Sequence, residues 1–567
     1  MKLIFFVDKL EYMRKNISGA LLMLVVLSVS AAAPKKTVAV DNRSFRISKN
    51  LNIFNSLYRE LDLNYVDTLS YDKMMKGTID NMLEKLDPYT VYMPEEETDD
   101  LKFMTTGEYA GIGAMIMKSG KDVCVSEPYE GMPAQRNGLR AGDVILEIDG
   151  ASMVGKSVNE VSAKLKGTPN TTIKLKIKRP GEKKNIDISF LREKIQINPV
   201  SYYAPVGSKV GYVLLAEFTD RAATELKNAV AELQKTHQIE SLVLDLRSNG
   251  GGLVDEAVKI LGYFLPKGTE VVTTKGKNEE AQHTYKTPTE PIFPDMKLVV
   301  LVNRGSASAS EILSGTIQDM DRGVLVGERT FGKGLVQSIR PLSYGGHLKV
   351  TTAKYYIPSG RCIQAIDYSH RNEDGSVGRV PDSLTHEFTT KNGRKVRDGG
   401  GIVPDSLTKD EKSLNIAYYI YSQNLYFDFA TDYVLKHPSI STPGNFVLSD
   451  EDFKLFADYL KEKKFSYSTQ TQKSFDELLE VAKYEGLDKS AKAEIEALKA
   501  KFMPDVQRNL QENKADVVEM LTLEILKRYY YQKGVIQYSL RDDKDLKIAL
   551  KVLGNSELYD SILKIKK

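Results

Sequence analysis

The chain has 567 residues, 41% hydrophobic and 27% charged, with 79 basic against 76 acidic side chains and a formal charge of +3. That length provides for about three or four domains, and the apolar content with nearly matched charge signs excludes wholesale disorder. The balance gives no net electrostatic drive toward nucleic acid, and the two cysteines, Cys124 and Cys362, make neither a disulfide framework nor a metal-ligand spacing.

Residues 1–33 read as a secretory signal or a membrane anchor. Lys2, Lys9, Arg14 and Lys15 precede the apolar stretch Ile17 to Val29, which ends in Ser30-Ala31-Ala32-Ala33-Pro34. Basic flank, short apolar run and small residues follow in the order of an export signal, and the run is shorter than the roughly 20 residues of a comfortable membrane span. The expectation is an exported protein, periplasmic or anchored to the membrane facing the periplasm.

Residues 43–104 carry a helical pattern. Leu51, Phe54, Leu57, Tyr58 and Leu61, then Met74, Met75, Ile79, Met82, Leu83 and Leu86, recur at intervals of three and four, which predicts a helical N-terminal region with these residues as core. Asp87-Pro88 breaks the helix, because proline removes a donor and restrains its predecessor.

Residues 105–195 change to short strands and glycine turns. Gly111-Ile112-Gly113-Ala114 leads into a strand, Val123–Ser126, Val144–Ile148 and Ile173–Ile177 are further strands, and Ser157–Leu165 is a short helix. The succession from Gly111–Ala114 through Gly131-Met132-Pro133-Ala134 and Gly138-Leu139-Arg140-Ala141-Gly142-Asp143 to Asp149-Gly150 resembles a PDZ domain. A glycine loop lets successive N–H groups converge on an anion. An extended peptide adding beside it as a strand has its terminal carboxylate captured there. Gly111, Ile112, Gly113 and Ala114 are the candidate peptide-binding residues.

In residues 199–406 near-continuous apolar strands (Gly211–Leu215, Leu242–Leu246, Leu298–Val302) alternate with helices (Ala222–Lys235, Val254–Phe264), which predicts an α/β core covered on both faces. Two loops stand out. After Leu298–Val302 comes Asn303-Arg304-Gly305-Ser306-Ala307-Ser308-Ala309-Ser310-Glu311, opening a helix. A serine at such a turn projects its hydroxyl beside free N–H groups and a positive dipole end, where an oxyanion is stabilised. Serine is also a preferred cap, and the pattern alone leaves open which of the three serines reacts. The second loop, Gly327-Glu328-Arg329-Thr330-Phe331-Gly332-Lys333-Gly334, sets a lysine between glycines ahead of an apolar strand. It is not a phosphate-binding P-loop, since Gly334 stands where Ser or Thr should hold magnesium and a strand follows instead of a helix.

Together these features resemble the carboxy-terminal processing (tail-specific) protease family of serine endopeptidases. The resemblance runs over roughly Tyr65 to Pro404 and rests on Asp245-Leu246-Arg247-Ser248-Asn249 with its glycines, the Gly305–Glu311 run, and Phe331-Gly332-Lys333-Gly334, in family order and spacing. It implies a crotonase/ClpP-like protease core with Ser308 as nucleophile, Lys333 as general base and Gln337 orienting the lysine. The oxyanion hole falls to the N–H of Ala309 and of a glycine in Gly250–Gly252, with Gly251 chosen. Family members commonly carry proline where Gly250 stands, which loosens this turn. The resemblance further implies protein substrates with apolar, unstructured C-terminal tails, no cofactor and no metal.

The chemistry sets its own demand. A lysine accepts a proton only when neutral, and at an ordinary pKa of about 10.4 roughly 0.1% is neutral at pH 7.4. Burial lowers that value by up to several units, and Phe331, Leu335, Val336 and Ile339 are the expected apolar neighbours. The histidines of this segment include His237, His283 and His347, with His347 the alternative base. A non-catalytic periplasmic adaptor that docks tails on the PDZ-like groove is the second functional reading. Residues 407–567 are mostly helical, including a charge-rich stretch from Ala491 to Met503, and carry no recognisable chemistry. Membrane attachment, self-association or adaptor docking are open to the helical ends.

Overall fold

The structure, a computed structural model, describes residues 42–97, 106–372, 376–408 and 415–564. The expected signal or anchor segment, 1–33, lies outside them, and no described helix is long and apolar enough to cross a membrane. The chain divides into a first unit ending at Gly77 and a second from Thr78 to Lys567.

The first unit contains the helix Asn42–Asn64, and the helix Tyr71–Glu84 begins within it. Leu51 and Leu57, expected as core, are exposed, as are Met82 and Leu86 further on, while Leu83 is buried. Periodicity dictates a helix, whereas burial also needs a second packed face. Residues 98–104 of the region expected to be helical lie outside the described residues, and the helix before them stops ahead of Asp87. Its carboxylate accepts from the N–H groups of Tyr89 (2.9 Å) and Thr90 (2.8 Å), forming a tight turn. Val91–Met93 then pairs antiparallel with His347–Lys349. The segment therefore joins a five-stranded sheet that also holds Glu270–Gly276, His283–Lys286, Leu335–Pro341 and His347–Tyr356.

The PDZ-like region is a sheet ordered Ala114–Ser119, Asp122–Pro128, Val144–Ile148, Thr172–Lys178 and Ile186–Leu191. The helix Val158–Leu165 starts at a reciprocal Ser157/Glu160 capping box. Val161 and Leu165 on that helix pack with Val123, Val125, Ile145 and Ile173 into one apolar cluster.

The α/β core is a six-stranded sheet. Val200–Gly207 runs antiparallel to Val210–Leu215, which is followed in parallel by Ser241–Asp245, Lys297–Val302, Val324–Gly327 and Ser406–Leu407. On one face lie the helices Ala222–His237, Val254–Leu261 and Ala309–Asp319, burying Leu226, Val230, Ile260 and Ile312 against Leu242, Leu244 and Val300. The other face, Tyr212, Val243, Val299 and Leu301, is covered by Leu546, Ala549, Val552 and Tyr559 from the last two helices, Lys544–Leu553 and Ser556–Ile562. Strands apolar on both faces need a layer on each side, and the C-terminal region, unassigned from its pattern, supplies the second. Arg247 adds a tie, reaching Asp543 (2.6 Å) and Asp545 (3.1 Å) as well as Asp245 (2.6 Å).

The helix Lys514–Ser539 holds the PDZ-like region from the side. Glu127, almost fully buried, meets Lys527 (3.3 Å) and accepts from Gln532 (2.8 Å), and Gln135 donates to the Tyr531 hydroxyl (3.1 Å).

Candidate active site

The site forms beyond the C-terminal ends of Ser241–Asp245 and Lys297–Val302, where ligands of open α/β sheets usually sit. Of the three serines that the sequence left unresolved, two are structural. Ser306 and Ser310 are fully buried, and their hydroxyls donate to Leu246 O (2.7 Å) and Asn249 O (2.9 Å). Ser308 alone of the three lines a cavity of about 410 Å³. It precedes the first residue of the helix Ala309–Asp319 with φ 56° and ψ −115°. A non-glycine residue there stores backbone strain of order 1–3 kcal/mol, in the manner of a nucleophile presented on a sharp strand-to-helix turn.

Lys333 and Gln337 line the same cavity, as do Gly250, Gly251 and Gly252. Gly251 is needed for its size and conformation. Its φ is +102°, and a Cβ there would stand 2.8 Å from Ser308 Cβ and 2.9 Å from Ala309 N. Its N–H, however, donates to Asn249 Oδ1 at 2.9 Å, and Asn249 is itself buried and donates to Leu215 O at 2.7 Å. Ala309 heads the helix, where backbone N–H groups have no intrahelical acceptor.

Glu311 and Tyr355, two residues that sequence reasoning gave no role, fasten the two loops together. The fully buried Glu311 carboxylate accepts four bonds: from Thr330 Oγ1 (2.6 Å) and Gly332 N (2.7 Å) on one oxygen, and from Lys333 N (2.9 Å) and Ser308 N (2.9 Å) on the other. Burial pushes its carboxyl up to about 7 against those bonds. The Tyr355 hydroxyl lies 2.6 Å from Lys333 O and 3.2 Å from Ser308 O. The signal for Glu311 was its place three residues after Ser308, as in a capping box; nothing in the pattern marked Tyr355.

The Lys333 ammonium lies over the Tyr89 ring, 4.4 Å from its centroid. Burial, with the like charge of Lys349, lowers it from 10.5 to about 8. Leu335, Val336 and Ile339 line the cavity as expected, whereas Phe331 is 36% exposed and does not. Among the described residues, no hydrogen bond joins Lys333 Nζ to Ser308 Oγ, and the Gln337 amide donates to Thr351 Oγ1 (3.1 Å), not toward the lysine. No histidine is among the residues lining the cavity. In the PDZ-like region Gly111, Ile112 and Gly113 are buried and Ala114 is partly exposed at the start of its strand.

Comparison with known proteins gives the same organisation. The model of peptidase family S41 matches residues 209–369, that of the PDZ domain residues 124–179, and that of the C-terminal helical domain of probable PDZ-proteases residues 416–553. The model of the N-terminal domain of the activating protease CtpB matches residues 18–98. A carboxy-terminal-processing protease of Bartonella bacilliformis is 35% identical over 345 residues, covering 60% of this chain and 79% of its own. A probable CtpA-like serine protease of Staphylococcus aureus is 39% identical over 316 residues, 55% of this chain and 62% of its own. Among solved structures, a photosystem II D1 C-terminal processing protease is 31% identical over 62% of this chain and 86% of its own, with a TM-score of 0.35. Helical N-terminal region, PDZ domain, α/β core and helical C-terminal region thus follow one another in a chain that belongs to the carboxy-terminal-processing serine proteases of peptidase family S41.

Proposed function

We propose that this protein is an exported endopeptidase, facing the periplasm, that binds apolar, unstructured C-terminal tails in its PDZ groove and cleaves near them with Ser308 and Lys333. A tail held in the groove raises the effective concentration of the neighbouring bond at the serine without tight binding there. The observation that carries the reading is the convergence of Ser308, strained at a helix N-terminus, and a lysine of lowered pKa on one cavity.

In the proposed reaction neutral Lys333 Nζ takes the Ser308 hydroxyl proton while Oγ attacks the scissile carbonyl carbon. The oxyanion is received by Ala309 N–H and a glycine N–H of the 250–252 turn. For Gly251 this requires release of its bond to Asn249 Oδ1. Collapse breaks the C–N bond, the Lys333 ammonium protonates the departing amine, and water, deprotonated by the same lysine, hydrolyses the ester. On this reading proton transfer brings Nζ within hydrogen-bond reach of Oγ, and the orienting role expected of Gln337 requires its amide to exchange Thr351 Oγ1 for the lysine.

The test is cleavage of a model substrate with an apolar free C-terminus by wild type, Ser308→Ala and Lys333→Ala. Loss in both variants, with their circular dichroism unchanged, is the expected result. Equal cleavage by Ser308→Ala removes the nucleophile, and tail binding without cleavage by any of the three favours a docking adaptor.

A further inference from the structure

The cavity that holds Ser308 carries a cation for which the proposed reaction has no use. Among the described residues, the charged side chains lining it are Glu217, Lys333 and Lys349. Lys349 is partly buried, and its ammonium makes no hydrogen bond or ion pair with another described residue, Glu217 included. Its direction follows from the sheet. Leu335–Pro341 and His347–Tyr356 run antiparallel, and opposite residues share a face with every second pair. Gln337 stands opposite Thr351 and bonds it at 3.1 Å, and Ile339 stands opposite Lys349 two residues on. Gln337, Ile339 and Lys349 all line the cavity, so this face of the sheet is its wall. The Lys333 ammonium belongs to the Gln337–Thr351 row. It lies over the ring of Tyr89, and the hydroxyl of the next residue, Thr90, accepts from Thr351 N (3.2 Å). At about 3.3 Å per residue, the Ile339–Lys349 pair is about 7 Å further along the strand.

We propose that Lys349 selects substrates with an acidic side chain, Asp or Glu, about two to four residues from the scissile bond, the span of extended peptide that its offset and flexible four-carbon stem cover. The proposal rests on the reading that Ser308 cleaves in this cavity. On that reading the chain end is held by the PDZ groove, so the carboxylate that Lys349 meets belongs to a side chain. An ammonium partly out of water gains most from an anion, since a charge-assisted bond is roughly twice as strong as one to a neutral amide or hydroxyl. Glu217 supplies the opposing preference. It precedes Phe218, whose N–H donates to Gly251 O (3.0 Å), and from beside the glycine turn it repels the same acidic group. The two charges together favour one placement of an acidic substrate over its reverse.

The experiment uses the full chain and peptides that share one apolar C-terminal tail, so that the groove meets the same end throughout. Glutamine fills the positions about two to four residues to either side of the bond cleaved, which mass spectrometry locates, and each is replaced singly by glutamate. The readout is the ratio of kcat/KM for the glutamate and glutamine peptides within one enzyme, so that a general change in activity divides out. The expected result is a preference for glutamate of about tenfold at positions on one side, carried mainly by KM. Lys349→Arg, which keeps the charge, should retain it, and Lys349→Gln should bring the ratio to about one. A wild-type ratio of about one at every position, or a preference that survives in Lys349→Gln, overturns the role of Lys349 and leaves cleavage at Ser308 standing. Failure of the wild type to cleave any of these peptides overturns the cleavage reading and the role of Lys349 with it.

Discussion

Replacing Lys333 by methionine is expected to abolish turnover while making the folded protein more stable at neutral pH. The folded ammonium is held at about 8 against 10.5; at about 1.4 kcal/mol per tenfold, that displacement sets about 3 kcal/mol against the charged fold. Partial solvent access and the loss of the Tyr89 contact reduce the net gain to about 2 kcal/mol, or about 4–8 °C in the melting temperature of a core this size. The sign follows from proton uptake. The unfolded chain keeps this proton up to about pH 10.5 and the folded chain releases it near 8. The cost is therefore complete below pH 8, shrinks as pH rises, and is gone above about 10.5. Thermal melts of both proteins at pH 7 and pH 10.5 read this directly. A methionine variant that melts lower at pH 7, or whose advantage is as large at pH 10.5, would refute the claim that Lys333 is held against its charge.

Four further outcomes follow from the structure. Wild-type kcat/KM on an apolar-tailed peptide should rise about tenfold from pH 7 to 9, as the neutral fraction of a lysine near 8 climbs from about a tenth to about nine-tenths. Lys349→Gln should move that inflection to higher pH, and a flat profile contradicts lysine as the base. Glu311→Gln, which sets an amide NH₂ against N–H donors, should cost about 2–4 kcal/mol of stability and at least tenfold in kcat, read by melting and steady-state rates; an unaltered kcat removes its positioning role. Glu127→Ala should strand Lys527 and Gln532 and loosen the PDZ region, seen as faster tryptic cleavage after Lys194, at the edge of that region; an unchanged digest means the contact holds nothing.

What the sequence carried was whatever repeats locally. The alternating Ile173–Ile177 run, the short helix ending at Leu165, the apolar runs of the parallel strands and the Asp-Pro break at residue 87 are decided by neighbours along the chain, and each appears in the structure where the pattern placed it. Long-range pairing was not legible. Val91–Met93 is a strand only because the strand at residues 347–356 lies beside it, at a separation no window spans. Tyr89 comes under Lys333 by that same route, so its ring could not be foreseen. The serines illustrate the limit well. Ser306, Ser308 and Ser310 share composition and loop, and what separates them is which hydroxyl finds a carbonyl across the fold. The C-terminal helices looked solvated because their charges are conspicuous. The residues that matter for burial, Leu546, Ala549 and Val552, form a narrow stripe whose purpose is defined by the sheet beneath.

One carboxylate and one phenol hydroxyl bind the serine turn and the lysine turn into a single block. Whatever turns this protease on therefore has little backbone to rearrange around these residues. On the proposed mechanism the inexpensive motion left is rotation about the carbon–carbon bonds of a single aliphatic chain, carrying its nitrogen from an aromatic face toward an alcohol. Such a control is fast, reversible and readily biased by a bound peptide, and a sluggish, cooperative activation is not what this architecture favours.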